Sequence, residues 1–492
     1  MRKMPVCRYH SVSLRTATLL RISVVCMILV LASCESPASP NTSDATDSET
    51  PDGTSPGGNP DQEADPAPTA RVVAWEPASA DGVWKGWTEL TIDSGQWSGT
   101  LELISSGDTR FHVHAFGEEG ELSAVGYAGY EVLDNEDPVM HEFAIEEADL
   151  TAVTMYSGSV QGRTLDLTGY ANAIAGTGGS SGFTDGTFQD GTRFNKPYGI
   201  TTDGMHIFIA DYENHTIRRM EIATGQVVTL AGSAGQAFFI DDETGTEARF
   251  EYPRGITYHD GVLYVTDGLR DEGPGTRVRT VDPDSGATGT LIDVGSAIIE
   301  PVGIAAAADN LYITDFYGNS VYRYDPMTGT AVLFAGRVSN SGTGGIGGAS
   351  GGDGTGSDAI FVNPWGIVSD GTYLYVADAN DNAVRRVDPI TAEVTTIIRT
   401  DTQAYLSNPT GITTDGERLY VSDTGNNRIR EIRLDENCEF DSITDLAGQK
   451  GTAGANWGIG SIASFGAPIG ITTDGINIYI ADRQYHLVRK IQ

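Results

Sequence analysis

Apolar and polar residues alternate with a period of two in short runs over most of this chain, as in Leu374-Tyr375-Val376-Ala377 and Leu419-Tyr420-Val421-Ser422. That period sends successive side chains to opposite faces of an extended backbone, so each run predicts a half-buried strand. Gly-rich turns separate the runs, and helix-favouring apolar stretches are scarce beyond the first 35 residues. The pattern predicts an all-β protein of many short strands.

Residues 71–168 carry one group of such runs: Trp87 to Ile92, Gly99 to Ile104, Arg110 to Phe116 and, more weakly, Phe143 to Met155. Turn signals such as Asp93-Ser94-Gly95 and Glu118-Glu119-Gly120 divide them. Strands this short and closely spaced predict a small β-sandwich-like domain. His112 and His114 fall on one side of a strand, but no third ligand has a recognisable spacing, so they read as a solvent-facing pair.

From residue 169 to 492 the pattern repeats. Pro-x-Gly-Ile occurs six times, beginning at Pro197, Pro253, Pro301, Pro364, Pro409 and Pro468. Twelve residues after each Gly stands an aspartate: Asp211, Asp267, Asp315, Asp378, Asp423 and Asp482. An apolar residue follows six positions after the Asp in five copies, and four of those are followed by Arg218, Arg385, Arg430 and Arg489. In the second copy an insertion around Gly273-Pro274-Gly275 displaces Val278-Arg279. Length varies only in Gly-rich loops, which radial β repeats tolerate. Four strands per copy and six copies predict a six-bladed β-propeller. The last copy stops at Gln492 without an outer strand, while a matching strand, Ala171 to Gly176, stands alone before the first copy. That strand is expected to complete the sixth blade and close the ring.

These motifs resemble the NHL repeat family over about 320 residues. The resemblance implies the propeller fold and several possible roles. Some NHL propellers are metal-dependent lyases with several zinc-bound histidines near the central channel, and related propellers are hydrolases. Others bind RNA through a basic face, and others are extracellular sensor or interaction domains. The propeller region holds only His206, His215, His259 and His486, at non-equivalent positions and without an H-E-x-x-H motif. No nucleophile elbow or phosphate loop is present, and Cys438 has no neighbouring His to activate it. A propeller enzyme acting at the channel mouth remains the alternative, because propeller sites assemble from distant blades.

Composition and the N-terminus change the picture further. Residues 1–21 carry five basic side chains and no acid, and an apolar run from Ile22 to Leu31 follows. This reads as an export signal, too short for a lasting membrane span. It ends in Leu31-Ala32-Ser33-Cys34, which resembles the lipobox of bacterial lipoproteins. The resemblance implies cleavage before Cys34, acylation of Cys34 and a place in the cell envelope. Glu35 in the position after the cysteine points to the outer membrane, facing the periplasm or the outside. Cys34 and Cys438 alone survive cleavage, so no internal disulfide is expected. Residues 34–70, rich in Ser, Pro and Asp, predict a disordered tether. The net charge is −36, and −41 without the signal. Such a surface excludes nucleic acid as a partner, since phosphate binding needs Lys/Arg patches. It suits weak cation binding, calcium included, and no other cofactor is implied.

The sequence therefore points to a membrane-anchored binding protein with an unidentified protein or glycan ligand. The six repeated aspartates read as structural, because Asp at a strand end bonds its own turn and one site rarely needs six copies. The candidate ligand residues are those that vary between the fixed Pro and Gly, expected at the channel mouth: Tyr198, Arg254, Val302, Trp365, Thr410 and Ile469. The loops after the aspartates add Tyr212, Phe316, Tyr317 and Tyr485. The competing expectation is that these side chains simply plug the channel.

Overall fold

The computed structural model describes strand backbones between residues 69 and 161. From residue 165 it describes the chain to 492, apart from 166, 270–271, 294–297, 308–309, 327, 339–349 and 401–404 and the side chains of 269 and 272–274. The signal, nearly all of the tether, Cys34 and the side chains of His112 and His114 lie outside the described residues.

The N-terminal alternating runs form strands that pair into a seven-stranded antiparallel sheet. Thr69–Trp75 sits near its middle, paired with Trp87–Asp93 on one side and Gly107–Phe116 on the other. Thr154–Tyr156 and Ser159–Gln161 form a separate hairpin.

The repeats form a six-bladed propeller. The innermost strands are Pro197–Thr202, Ile256–His259, Pro301–Ala307, Pro364–Ser369, Pro409–Thr414 and Pro468–Thr473. In each of the first five blades four strands, the innermost included, run outward in sequence order, all antiparallel, and in the fourth the short strand Gly354–Thr355 pairs outside them. The sixth blade takes its outer strand from the other end of the repeat region: Tyr170–Gly176 pairs with Leu487–Ile491, Ala171 opposite Ile491 and Gly176 opposite Leu487. The chain thus closes its ring with the strand that the sequence left unmatched.

The core lies between blades. Phe208, Leu230 and Phe250 pack with Leu263 and Val281 between the first two blades, and Ile174, Phe194, Ile207, Tyr479 and Val488 pack between the sixth and the first. All six repeated aspartates are fully buried. Each accepts the backbone N–H of the residue two places before the Pro of its own repeat: Asn195, Glu251, Ile299, Val362, Ser407 and Gly466, at 2.7–3.1 Å. Four also receive a fully buried arginine: Arg218 on Asp211, Arg279 on Asp267, Arg385 on Asp378 and Arg489 on Asp482. In the fifth blade Arg428 meets Asp423 at 2.8 Å, nearer than the repeat arginine Arg430 at 3.8 Å. Tyr322 stands in the arginine's place in the third blade, where Asp315 also accepts the N–H groups of Glu300 and Gly318. Burial pushes the carboxyl of Asp211 up to about 6 and those of Asp267 and Asp378 up to about 7, with the paired arginine pulling the other way. Cys438 is buried, 3% exposed, in the fifth blade.

Candidate functional site: the channel mouth

The Pro-x-Gly turns converge at one end of the channel. Each Gly there lies against the carbonyl of the varying residue in the next blade: Gly199 on Arg254, Gly255 on Val302, Gly303 on Trp365, Gly366 on Thr410, Gly411 on Ile469 and Gly470 on Tyr198. A methyl group at any of them would overlap that carbonyl. Their φ angles are ordinary, so the glycine is needed for close approach between blades and not for a left-handed turn.

This ring brings the six varying residues together. Tyr198, Val302 and Ile469 form a buried apolar cluster, with Tyr212, Phe316 and Trp365 packed against it. Thr410 turns its hydroxyl to Thr424 and to the carbonyl of Ile469. Five of the six are buried, and Trp365 alone is partly exposed. The channel they line keeps a cavity of about 70 Å³, far below the ~300–1,000 Å³ of a small-molecule pocket. The varying residues thus form a floor across this end of the channel, and a ligand at the mouth meets what lies above it.

The layer above comes from the residues directly after the repeated aspartates: Tyr212, Phe316, Thr424 and Arg483. Tyr212 stacks on Tyr198 at 5.1 Å, and Tyr198 stacks on Trp365 at 5.7 Å. Phe316 meets Trp365 edge-on at 5.1 Å and Tyr317 meets Phe316 in the same way. Tyr252 packs on Tyr212. Tyr485, which the sequence grouped with these, instead lies against Gly466. Sequence reasoning missed Arg483 and Tyr252. The signal for Arg483 was there, since it occupies the position of Tyr212 and Phe316 in the sixth repeat. Tyr252 stands immediately before a repeat Pro, a place that carried no pattern.

Two guanidinium groups flank the Tyr198–Tyr212 stack. Arg254 lies 6.0 and 5.8 Å from the two ring centres, and Arg483 lies 5.6 and 6.0 Å from them. Burial pushes the Tyr198 hydroxyl up to about 12, against the pull of both arginines. Arg254 is paired with the buried carboxylate of Glu300. The four propeller histidines are dispersed: His206 bonds Asp203, His259 lies beside Asp260, and His215 and His486 accept backbone N–H groups. Among the described residues no group of three or more His, Cys, Asp or Glu is placed to hold a metal ion.

No family model matches the chain. Among characterised proteins it is similar to human NHL repeat-containing protein 2, 26% identical over 262 residues that make up 45% of this chain and 35% of that protein. The repeats are homologous to NHL repeats. The Arabidopsis thaliana chloroplast protein SUPPRESSOR OF QUENCHING 1 is 24% identical over 254 residues, covering 46% of this chain and 23% of that one. The chain thus spans about a quarter to a third of the length of these relatives. Among solved structures, a Bacteroides thetaiotaomicron protein of unknown function superposes with a TM-score of 0.50 at 16% identity, over 82% of this chain and 97% of its own. An auxiliary nutrient-binding protein from the same organism gives 0.49 at 14% identity, over 79% and 95%. At 16% identity the likeness is one of fold alone.

Proposed function

We propose that this chain is a lipid-anchored, extracytoplasmic binding protein whose NHL propeller presents its channel mouth to a protein or glycan ligand. One observation carries the reading: partly exposed aromatic rings and an arginine are gathered above a floor that leaves only about 70 Å³ beneath it. Rings and guanidinium groups are the side chains that supply most recognition energy at interfaces. A closed floor favours a ligand lying across the mouth over a substrate entering the channel. The anchor rests on the Leu31-Ala32-Ser33-Cys34 sequence and the basic, then apolar, segment before it. The test is capture of ligands from glycan and protein libraries on the purified full chain, alongside Trp365→Ala. A specific ligand held by the parent and released by the variant supports the reading. Capture by both to the same extent would place binding elsewhere.

A further inference from the structure

The two arginines at the mouth have different partners. Arg254 has the carboxylate of Glu300. Arg483 has no carboxylate and no hydrogen bond to its guanidinium among the described residues, and its Nε is buried without a partner. An unpartnered Nε alone is not unusual here, since Arg218, Arg385 and Arg489 share it. Those three spend their terminal nitrogens on an aspartate and on backbone carbonyls. Arg483 has only the faces of Tyr198 and Tyr212. Acids outnumber bases in this chain 67 to 31, and Arg483 is the arginine at the mouth that none of the described acids pairs. Leaving the buried Nε donor without an acceptor costs more than a hydrogen bond gains. The guanidinium fork matches a carboxylate with two parallel bonds.

We propose that Arg483 receives a ligand carboxylate, and that the ligand is an acidic sugar, a hexuronate residue of a short glycan. The proposal rests on the mouth being the binding site. The rings of Tyr212 and Trp365 are partly exposed at the mouth, where they give apolar surface for the C–H face of a pyranose, and Tyr212 lies beside the same arginine. Glu300 already neutralises Arg254, so the mouth has one uncompensated charge and takes one carboxylate. A sugar of a few residues touches only this spot. An acidic polypeptide would spread a larger footprint over a chain of net charge −36, where like charges repel.

The test is calorimetric titration of the purified full chain with trigalacturonate and with a glucuronate-containing disaccharide, each beside its methyl ester, which keeps the ring and masks the charge. A Glu-containing peptide is the third probe. We expect at least one free acid to bind ten-fold or more tightly than its ester. Arg483→Gln should abolish that preference and Arg483→Lys should keep part of it, with melting curves reporting that both variants fold. Equal binding of acid and ester, or a preference surviving in Arg483→Gln, overturns the carboxylate assignment and leaves mouth binding standing. Binding of the peptide alone overturns the sugar. No binding of either sugar overturns the inference, while library capture still reports on the mouth separately.

Discussion

His486 of the sixth blade accepts the backbone N–H of Lys196 in the first blade through Nδ1, at 3.0 Å. The bond ties the end of the ring to its beginning. His215 does the same for Tyr252 at 3.2 Å, and Asn319 and Asn382 do it with their side-chain oxygens for Asn363 and Asn408. All four acceptors sit in the left-handed region, φ 51–59°, and the two asparagines belong to the residue type that tolerates it best. Four blade junctions therefore share one latch, and two of the four latches can titrate.

The histidine latches predict acid sensitivity. Only neutral imidazole accepts at Nδ1. Burial lowers the pKa of both histidines below 6.5; Glu213 opposes this at both, and Lys196 adds to it at His486. The unfolded chain thus binds these protons more tightly. The stability they contribute is complete above about pH 6.5 and is lost as pH falls through the lower folded values. His215→Asn/His486→Asn should keep the acceptors and remove the titration. Between pH 7.5 and 5 the melting temperature of the parent should fall further than that of the double variant, by about 1 kcal/mol of stability per latch. Parallel curves would mean that the latches do not titrate in this range.

Ring closure makes a second prediction. Deleting residues 171–176 removes the outer strand from the sixth blade and bares the edge of Leu487–Ile491, so the deletion should melt earlier and aggregate. Gly303→Ala tests the channel end of the same ring, because its methyl would strike the carbonyl of Trp365. Overpacking of this kind costs roughly 1–3 kcal/mol. An unchanged melting curve for either variant would contradict the closure described.

Much of this architecture was legible because spacing in the sequence maps onto registry between strands. The Gly-to-Asp interval fixed the two inner strands of each blade, and the unmatched run Ala171–Gly176 before the first repeat proved to pair with Leu487–Ile491. The mouth was half legible. The Pro-x-Gly frame named six residues that do converge, but their burial depends on how closely neighbouring blades approach. That approach is a contact between repeats, which no single repeat encodes. Arg483 was passed over because aromatic residues were sought in the loops, and an arginine at an aromatic position broke the pattern. The latch histidines carried no signal, since their partners are backbone groups of the next blade.

The buried Asp–Arg pairs should be costly to halve and cheap to replace. Asp378→Ala leaves Arg385, fully buried, with backbone carbonyls and the half-exposed Asp353 for partners. It also frees the N–H of Val362. A loss of about 3–5 kcal/mol is expected in calorimetric melting. Asp378→Ala/Arg385→Met should recover part of it, since the third blade folds with Tyr322 in the arginine's place. A double variant no more stable than the single one would mean that the carboxylate's bond to Val362 outweighs the ion pair.

Lipidation of Cys34 can be tested separately from binding. Each buried methylene contributes about 0.8 kcal/mol, so a multiply acylated cysteine holds the chain to the membrane effectively permanently. Cys34→Ser should leave the detergent phase on fractionation of cell envelopes and appear in the soluble fraction. A variant still recovered with detergent would show that another element anchors the chain.

Arg254 and Trp365 both stand at varying positions of the Pro-x-Gly frame, yet their substitution should have opposite effects. Arg254 is 8% exposed and bound to Glu300. Arg254→Ala would leave that carboxylate buried without its counter-charge, and a loss of about 3–5 kcal/mol of stability is expected. Trp365 is the partly exposed member of the floor, packed against Tyr198, Val302 and Ile469. Trp365→Ala should change the melting temperature far less and weaken ligand binding by about 2 kcal/mol or more, roughly 30-fold. Melting curves and titrations of both variants read the two effects separately. If Trp365→Ala unfolds the protein while binding survives in Arg254→Ala, the aromatic layer is part of the plug and the ligand must lie on another face.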